Sequence, residues 1–344
     1  MAVLDIKKMV PERTKLKKSL GLDIGSFAVK AVELSSSSDK INVSAFGTVC
    51  VANLPRQETA NSIRRLLSQS GITLREAVIS VSGPSVIERF ITLPKMDEEA
   101  LKGAIKFEAE KLIPFDINDC IIDHKILGKD DRENKINVLL VAVKKDHLSS
   151  KLKLAEEAGL AVRLVDVDMF AAANALMKCF KNPADKTVAI LNMGASLTNV
   201  SILRGEGAYF ARDIAIGGND FSLAISKMTG LAAGAAEELK LSPNEKIKDL
   251  IGFFKPVLNN LLDEVKLSFS YYENQTGKGI DAIYVSGGGS GIVGLADAFQ
   301  ENFGSSPSIL NPMHFAEIGL VGSGKGSLEK TGSSFTVAIG LALR

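Results

Sequence analysis

Apolar positions along this chain fall into two rhythms. Leu20 to Ile24, Val29 to Leu34 and Ile41 to Val51 alternate or run apolar, as strands do, and the Ser35 to Asp39 cluster supplies a turn between two of them. From Thr59 to Ser70 the spacing becomes helical, with Ile63, Leu66 and Leu67 on one face and Gly71 at the end. Ala77 to Val81 then resumes as a strand closed by Ser82-Gly83-Pro84. Asp97 is placed to cap a second helix carrying Leu101, Ala104, Ile105 and Leu112, which Pro114 stops. Ile136 to Val143 reads as a strand, Asp146 as the cap of a helix reaching Gly159, and Val162 to Val167 as a strand before the small-residue helix Phe170 to Met177.

The second half restarts the pattern. Leu20 to Leu34 superposes on Ala189 to Leu203, with Asp23 on Asn192 and Gly25 on Gly194, an internal repeat of strand, turn and strand. Phe221 to Thr276 is mostly helical, with Pro243 between segments and the apolar spacing of Leu250, Phe253, Phe254, Val257, Leu258, Leu261, Leu262 and Val265. Ile280 to Ser286 reads as a strand, Gly287 to Gly291 as a glycine turn, Leu295 to Asn302 as a helix and Phe335 to Leu343 as a closing apolar segment. These elements divide the chain into a basic arm at 1–19, a first lobe at 20–185 with an inserted unit at about 86–160, and a second lobe at 186–344 with a helical subdomain at about 219–279. Length agrees, since 344 residues suit two lobes better than one core.

Composition narrows the classes. Apolar residues make up 46% and charged residues 24%, the balance of a globular protein. A net charge of +1 provides no global field to gather phosphates, so no nucleic-acid partner is indicated. Cys50, Cys120 and Cys179 form no C-x-x-C pair, which removes local support for a zinc or redox site and reads as cytosolic. No signal peptide or membrane-length apolar run is visible. The arm carries Lys7, Lys8, Arg13, Lys15, Lys17 and Lys18 against Asp5 and Glu12; it is either a solvated terminus or a contact for an anionic membrane or acidic partner.

The chemistry lies in glycine turns. A turn without Cβ atoms lets successive backbone N–H groups converge on an anion. Gly25-Ser26-Phe27 and Gly194-Ala195-Ser196 would each do so, and two such turns facing across a cleft would clamp a polyphosphate, with Lys30 as a point charge. Either turn alone is equally an ordinary hairpin. Gly287, Gly288, Gly289 and Ser290 form a third turn, where a base or sugar would rest on bare backbone.

In order and spacing, Asp23-Ile-Gly-Ser26 resembles the first phosphate motif of the actin, Hsp70 and sugar-kinase superfamily, Asn192-Met-Gly-Ala195 the second, and Ser286-Gly-Gly-Gly-Ser290 the adenosine motif. The resemblance implies an α/β, actin-like (ribonuclease H-like) two-lobed fold that binds ATP with Mg. Thr198 joins the second phosphate motif, and Asp23 would position Mg and the attacking water. Ala236-Glu-Glu-Leu-Lys240 is similar to a segment of the bacterial branch whose acid and lysine contact the nucleoside, roles carried to Glu237 and Lys240; alone it would read as a salt-bridged helix surface.

Within that superfamily the chain most resembles the PilM family of type IV pilus assembly, itself related to the division protein FtsA. Phe107-Glu-Ala-Glu-Lys-Leu-Ile-Pro-Phe115, Leu164-Val-Asp-Val-Asp168 with Phe170-Ala-Ala-Ala-Asn-Ala175, and Glu264-Val-Lys-Leu-Ser-Phe-Ser-Tyr-Tyr272 carry the likeness. It implies an FtsA-type inserted 1C subdomain and a scaffold at the inner face of the cytoplasmic membrane, in pilus assembly or type II secretion. The implied partners are the N-terminal cytoplasmic peptide of PilN, pilus motor ATPases and further copies of the chain. Asn192 stands where the second phosphate motif commonly has Asp, which implies at most a slow ATPase.

Other readings stay open: a membrane-associated FtsA-like filament, and a small-molecule kinase, for which Gly217-Gly-Asn-Asp220 shows no sugar-kinase signature. Gly319-Leu-Val-Gly-Ser-Gly-Lys325 fits most of a Walker A pattern but has Gly326 where Ser or Thr should follow, and reads as a loop. His124, His147 and His314 lack metal or triad spacing and read as surface or structural histidines.

Overall fold

The computed structural model describes residues 18–37, 40–130, 134–179, 185–205, 207–242, 250–314, 318–320 and 331–344. Strands β1 (Lys18–Ile24), β2 (Ala28–Ser37) and β3 (Lys40–Cys50) form an antiparallel meander. Helix α1 (Arg56–Gln69) leads from it into β4 (Glu76–Val81), which lies parallel to β1 on its other side. With β8 (Ala161–Val167) and β14 (Ile318–Leu320) they make a six-stranded sheet in the order β14-β3-β2-β1-β4-β8. β1 is buried along nearly its whole length, as expected of a central strand covered on both faces.

A second sheet repeats this plan. Strands β9 (Thr187–Met193), β10 (Thr198–Arg204) and β11 (Gly207–Ile214) form the meander, and β12 (Ala282–Ser286) and β13 (Ser308–Ile309) add in parallel, giving β11-β10-β9-β12-β13. Strand order and direction match β3-β2-β1-β4-β8. The registers match too: Ile24 faces Val29 at one turn and Met193 faces Thr198 at the other. The repeat seen in the sequence is thus a repeat of architecture.

Between β4 and β8 the chain builds a third, three-stranded sheet in which β7 (Lys135–Lys144) lies between β5 (Val86–Pro94) and β6 (Cys120–Asp130). Helix α2 (Glu98–Leu112) covers it. The Asp97 carboxylate accepts from Ala100 N at 2.8 Å as its cap, and the helix yields at Ile113, before Pro114. Leu93, Leu101, Ile105, Ala109, Ile136, Val138, Leu140 and Ala142 give this unit a core of its own. Only β7 was legible beforehand. β5 hides behind Glu88, buried near its start, and β6 behind its charged Asp123 and Lys125.

Helix α3 (Lys145–Glu157) runs from β7 back to the first sheet, and α4 (Asp168–Cys179) follows β8. Asp146 was read as the cap of α3, but it lies in the first turn, and Lys144 in the cap position makes no side-chain bond. The second sheet carries α5 (Gly218–Thr229), α6 (Ala233–Leu241), α7 (Leu250–Thr276) and α8 (Leu295–Phe303). On α7 the buried side chains Leu250, Phe254, Leu258, Leu261, Val265, Phe269 and Tyr272 follow the helical period.

The chain closes with α9 (Thr336–Ala342), and here the location differs from the expectation. Both β14 and α9 were assigned by position to the second lobe, yet β14 pairs with β3 and α9 packs on β1, β2 and α4. Backbone approach explains the fit: a Cβ on Gly340 would lie 1.7 Å from Ala171 O, so only glycine lets α9 settle against α4. The first sheet also reaches further toward the N-terminus than expected, since Lys18 and Ser19 of the supposed arm begin β1. The rest of the arm lies outside the described residues, as does the Walker-like segment beyond β14.

Candidate functional site

The two glycine turns meet between the two sheets. Ser26 Oγ and Ser196 Oγ stand 2.7 Å apart, so the turn from β1 to β2 touches the turn from β9 to β10. Around them lies a cleft of about 460 Å³ lined by both turns, by the glycine turn that follows β12, and by residues from α3, α5 and α6. Of the residues singled out in the sequence, Asp23, Gly25, Ser26, Phe27, Lys30, Gly194, Ala195, Ser196, Glu237, Lys240, Gly287, Gly288 and Gly289 line it. Thr198 and Ser290 do not. Strand alternation turns Thr198 inward, where its hydroxyl donates to Ile216 O at 2.8 Å, and Ser290 donates to Gly287 O at 2.8 Å within its own turn.

Antiparallel register sets Lys30 opposite Asp23, and their side chains pair at 3.1 Å. Beside them the cleft holds Asp168, the first residue of α4, which the motif reading quoted without giving it a role. Burial, then the neighbouring Asp23 charge, push the Asp168 pKa up to about 6 against the pull of Ser80, Lys151 and Ser82. Across the cleft Lys240 is buried, and its ammonium donates to Glu237 Oε2 at 2.5 Å and Gly218 O at 2.9 Å. Ser222 Oγ also donates to that Glu237 oxygen, at 2.7 Å, which fixes the acid against α5.

Asn192 gains a role that the sequence concealed. Ser286 Oγ donates to Asn192 Oδ1 at 3.2 Å, and Asn192 Nδ2 donates to Asn199 Oδ1 at 2.9 Å. Asn199 Nδ2 donates to Asp213 Oδ1 at 2.6 Å, and Gly83 N, from beyond β4, donates to Asp213 Oδ2 at 2.6 Å. This relay crosses the second sheet and ends on the first lobe. An aspartate at 192 would turn an acceptor toward Asn199 Oδ1; Asn199 could compensate only by flipping and losing Asp213. The amide is the rung that the ladder requires.

His147 is also corrected. It lines the cleft, one helical turn before Lys151, and its buried Nε2 has no hydrogen-bond partner among the described residues. His124 instead faces Leu140 in the three-stranded sheet, and His314 ends the 3-10 turn Pro312–His314. Asp220, in the segment that shows no sugar-kinase signature, accepts from Gly217 N at 2.8 Å and caps α5.

The walls suit a nucleoside polyphosphate with magnesium. At Gly287 (φ +83°) a Cβ would sit 2.4 Å from Met193 O, so this backbone stays bare beside the cleft. The volume lies in the range of small-ligand clefts. Among the described residues no three His, Cys, Asp or Glu side chains gather to hold a metal by themselves. Magnesium bound through water and phosphate oxygens needs only one or two carboxylates, and Asp23 is placed to be one.

Two matching sheets with a cleft between facing phosphate-type turns define an actin-like protein. The family model for the type IV pilus assembly protein PilM matches residues 21–344, and the chain belongs to that family. It is similar to the solved structure of a PilM-PilN type IV pilus biogenesis complex, at 28% identity and a TM-score of 0.83, over 96% of this chain and 99% of that one. The ethanolamine utilization protein EutJ from Carboxydothermus hydrogenoformans shares the fold at 14% identity and a TM-score of 0.57, over 99% of this chain and 92% of its own. The cell division protein FtsA of Bacillus subtilis strain 168 is 22% identical over 251 residues, which are 64% of this chain and 57% of that protein's length. The chain is therefore an actin-like protein of type IV pilus assembly. Among the described residues no helix is long and apolar enough to cross a membrane.

Proposed function

We propose that this protein binds MgATP between its lobes and uses the bound nucleotide to set their relative position, acting as an adaptor that holds the N-terminal cytoplasmic peptide of PilN. The observation that carries the nucleotide reading is the meeting of Ser26 and Ser196 at 2.7 Å, which faces two amide-rich turns onto one cleft. On this reading the turns hold the phosphates, Lys30 and Asp23 the phosphate and hydrated magnesium, and Glu237, Lys240 and Gly287 to Gly289 the nucleoside. Magnesium would supply charge neutralisation at the phosphates.

Turnover is slow on this reading, because Asn192 is committed to the relay and cannot help place metal or water. The adaptor role is supported by the likeness to the PilM-PilN complex and by the inserted sheet, whose separate core allows it to present a surface of its own. Nucleotide titration of wild type and Asp23→Ala tests the proposal. Wild type should bind MgATP and the variant should bind roughly tenfold more weakly or worse. Equal affinity for both, or none for wild type, overturns it.

A further inference from the structure

Helix α3 brings His147, Ser150 and Lys151 to the wall of the cleft. Lys151 Nζ donates to Ile24 O at 2.5 Å, the carbonyl that ends β1 immediately before the first phosphate turn. An ammonium has three donors, and among the described residues this is the hydrogen bond that Lys151 makes. Three lysines line the cleft. Lys30 is paired with Asp23 and Lys240 with Glu237, while Lys151 has no carboxylate within ion-pair distance among the described residues.

Its surroundings point to an anion as the missing partner. Burial lowers the Lys151 pKa, and only the more distant charges of Asp168 and Asp23 act against that. Burial and then the Lys151 charge also depress the pKa of His147, whose Nε2, one turn away, has no partner among the described residues. A half-buried cation with donors to spare, beside an imidazole nitrogen that has no hydrogen-bond partner among the described residues, is costly when left unmatched and favourable around a phosphate. Lys151 also lies close enough to Asp168 and Asp23 to feel their charges, and all three line the cleft.

We propose that Lys151 reads the terminal phosphate: it leaves the Ile24 carbonyl to bind the last phosphate of a nucleoside triphosphate and thereby distinguishes a tri- from a diphosphate. This rests on the nucleotide reading above. Because α3 continues directly from β7, the exchange also connects the phosphate to the central strand of the inserted sheet.

The test compares MgATP and MgADP affinities by titration for wild type, Lys151→Gln and Lys151→Arg. Glutamine keeps a donor for Ile24 O while removing the charge. It should weaken MgATP by roughly tenfold to a hundredfold and change MgADP by no more than about threefold, with arginine restoring part of the difference. An unchanged ATP-to-ADP ratio in Lys151→Gln overturns the assignment of Lys151 and leaves nucleotide binding standing. Absence of binding to wild type overturns the nucleotide reading and this inference with it. If Lys151→Gln does not fold, Lys151→Met takes its place on the same ratio.

Discussion

At the scale of single residues, buried carboxylates are more heavily constrained than their spacing suggests. Glu88 is buried in β5, its Oε1 has no hydrogen-bond partner among the described residues, and burial, then the Asp213 charge, raise its pKa to about 8. The folded protein therefore holds this proton where the unfolded chain, with an ordinary value near 4.5, has lost it. Stability should fall as pH rises from about 4.5 and level off above about 8, because the folded state binds more protons across that window. Glu88→Gln should flatten this slope, with its advantage over wild type growing by on the order of a few kcal/mol toward high pH. Denaturant melts at about pH 5 and about pH 9 measure it; parallel slopes in the two proteins would show that Glu88 is not the source.

At the scale of elements, α9 makes the first lobe depend on the end of the chain. Val337 and Leu341 join the core of the first sheet, and Gly340 lies against the backbone of α4. Gly340→Val would force the helices apart, and a loss of roughly 1–3 kcal/mol or more is expected, read as a lower thermal midpoint. Since α4 begins at Asp168 in the cleft, the same change should also weaken nucleotide binding. A variant with wild-type stability would refute the account of this contact.

At the scale of the molecule, the relay from Ser286 to Gly83 and the contact between Ser26 and Ser196 join the two lobes where the nucleotide is proposed to lie. The proposed adaptor then has a simple dependence: closing the lobes on MgATP should alter the surface offered by the inserted sheet. A synthetic peptide of the PilN N-terminal cytoplasmic segment should be retained by the protein, with affinity that changes on adding MgATP. Failure to bind with and without nucleotide would count against the adaptor role.

Local pattern determined much of this protein in advance. Turns without side chains can be seen in one dimension, so Gly25, Gly194 and Gly287 to Gly289 marked the cleft, and buried central strands such as β7 and β9 carry apolar runs that are visible in any context. What only the tertiary structure decided depends on distant neighbours. Asn192 looked like a missing acid until Asn199 and Asp213 stood beside it, and Thr198 looked like a ligand until alternation turned it inward. Lys151 and His147 sit on a helix of ordinary amphipathic spacing, and nothing within that helix says which face meets the cleft. The positions of β14 and α9 were equally hidden, because pairing with β3 and packing on β1 join residues hundreds of positions apart. Such contacts leave no periodic trace in the sequence that makes them.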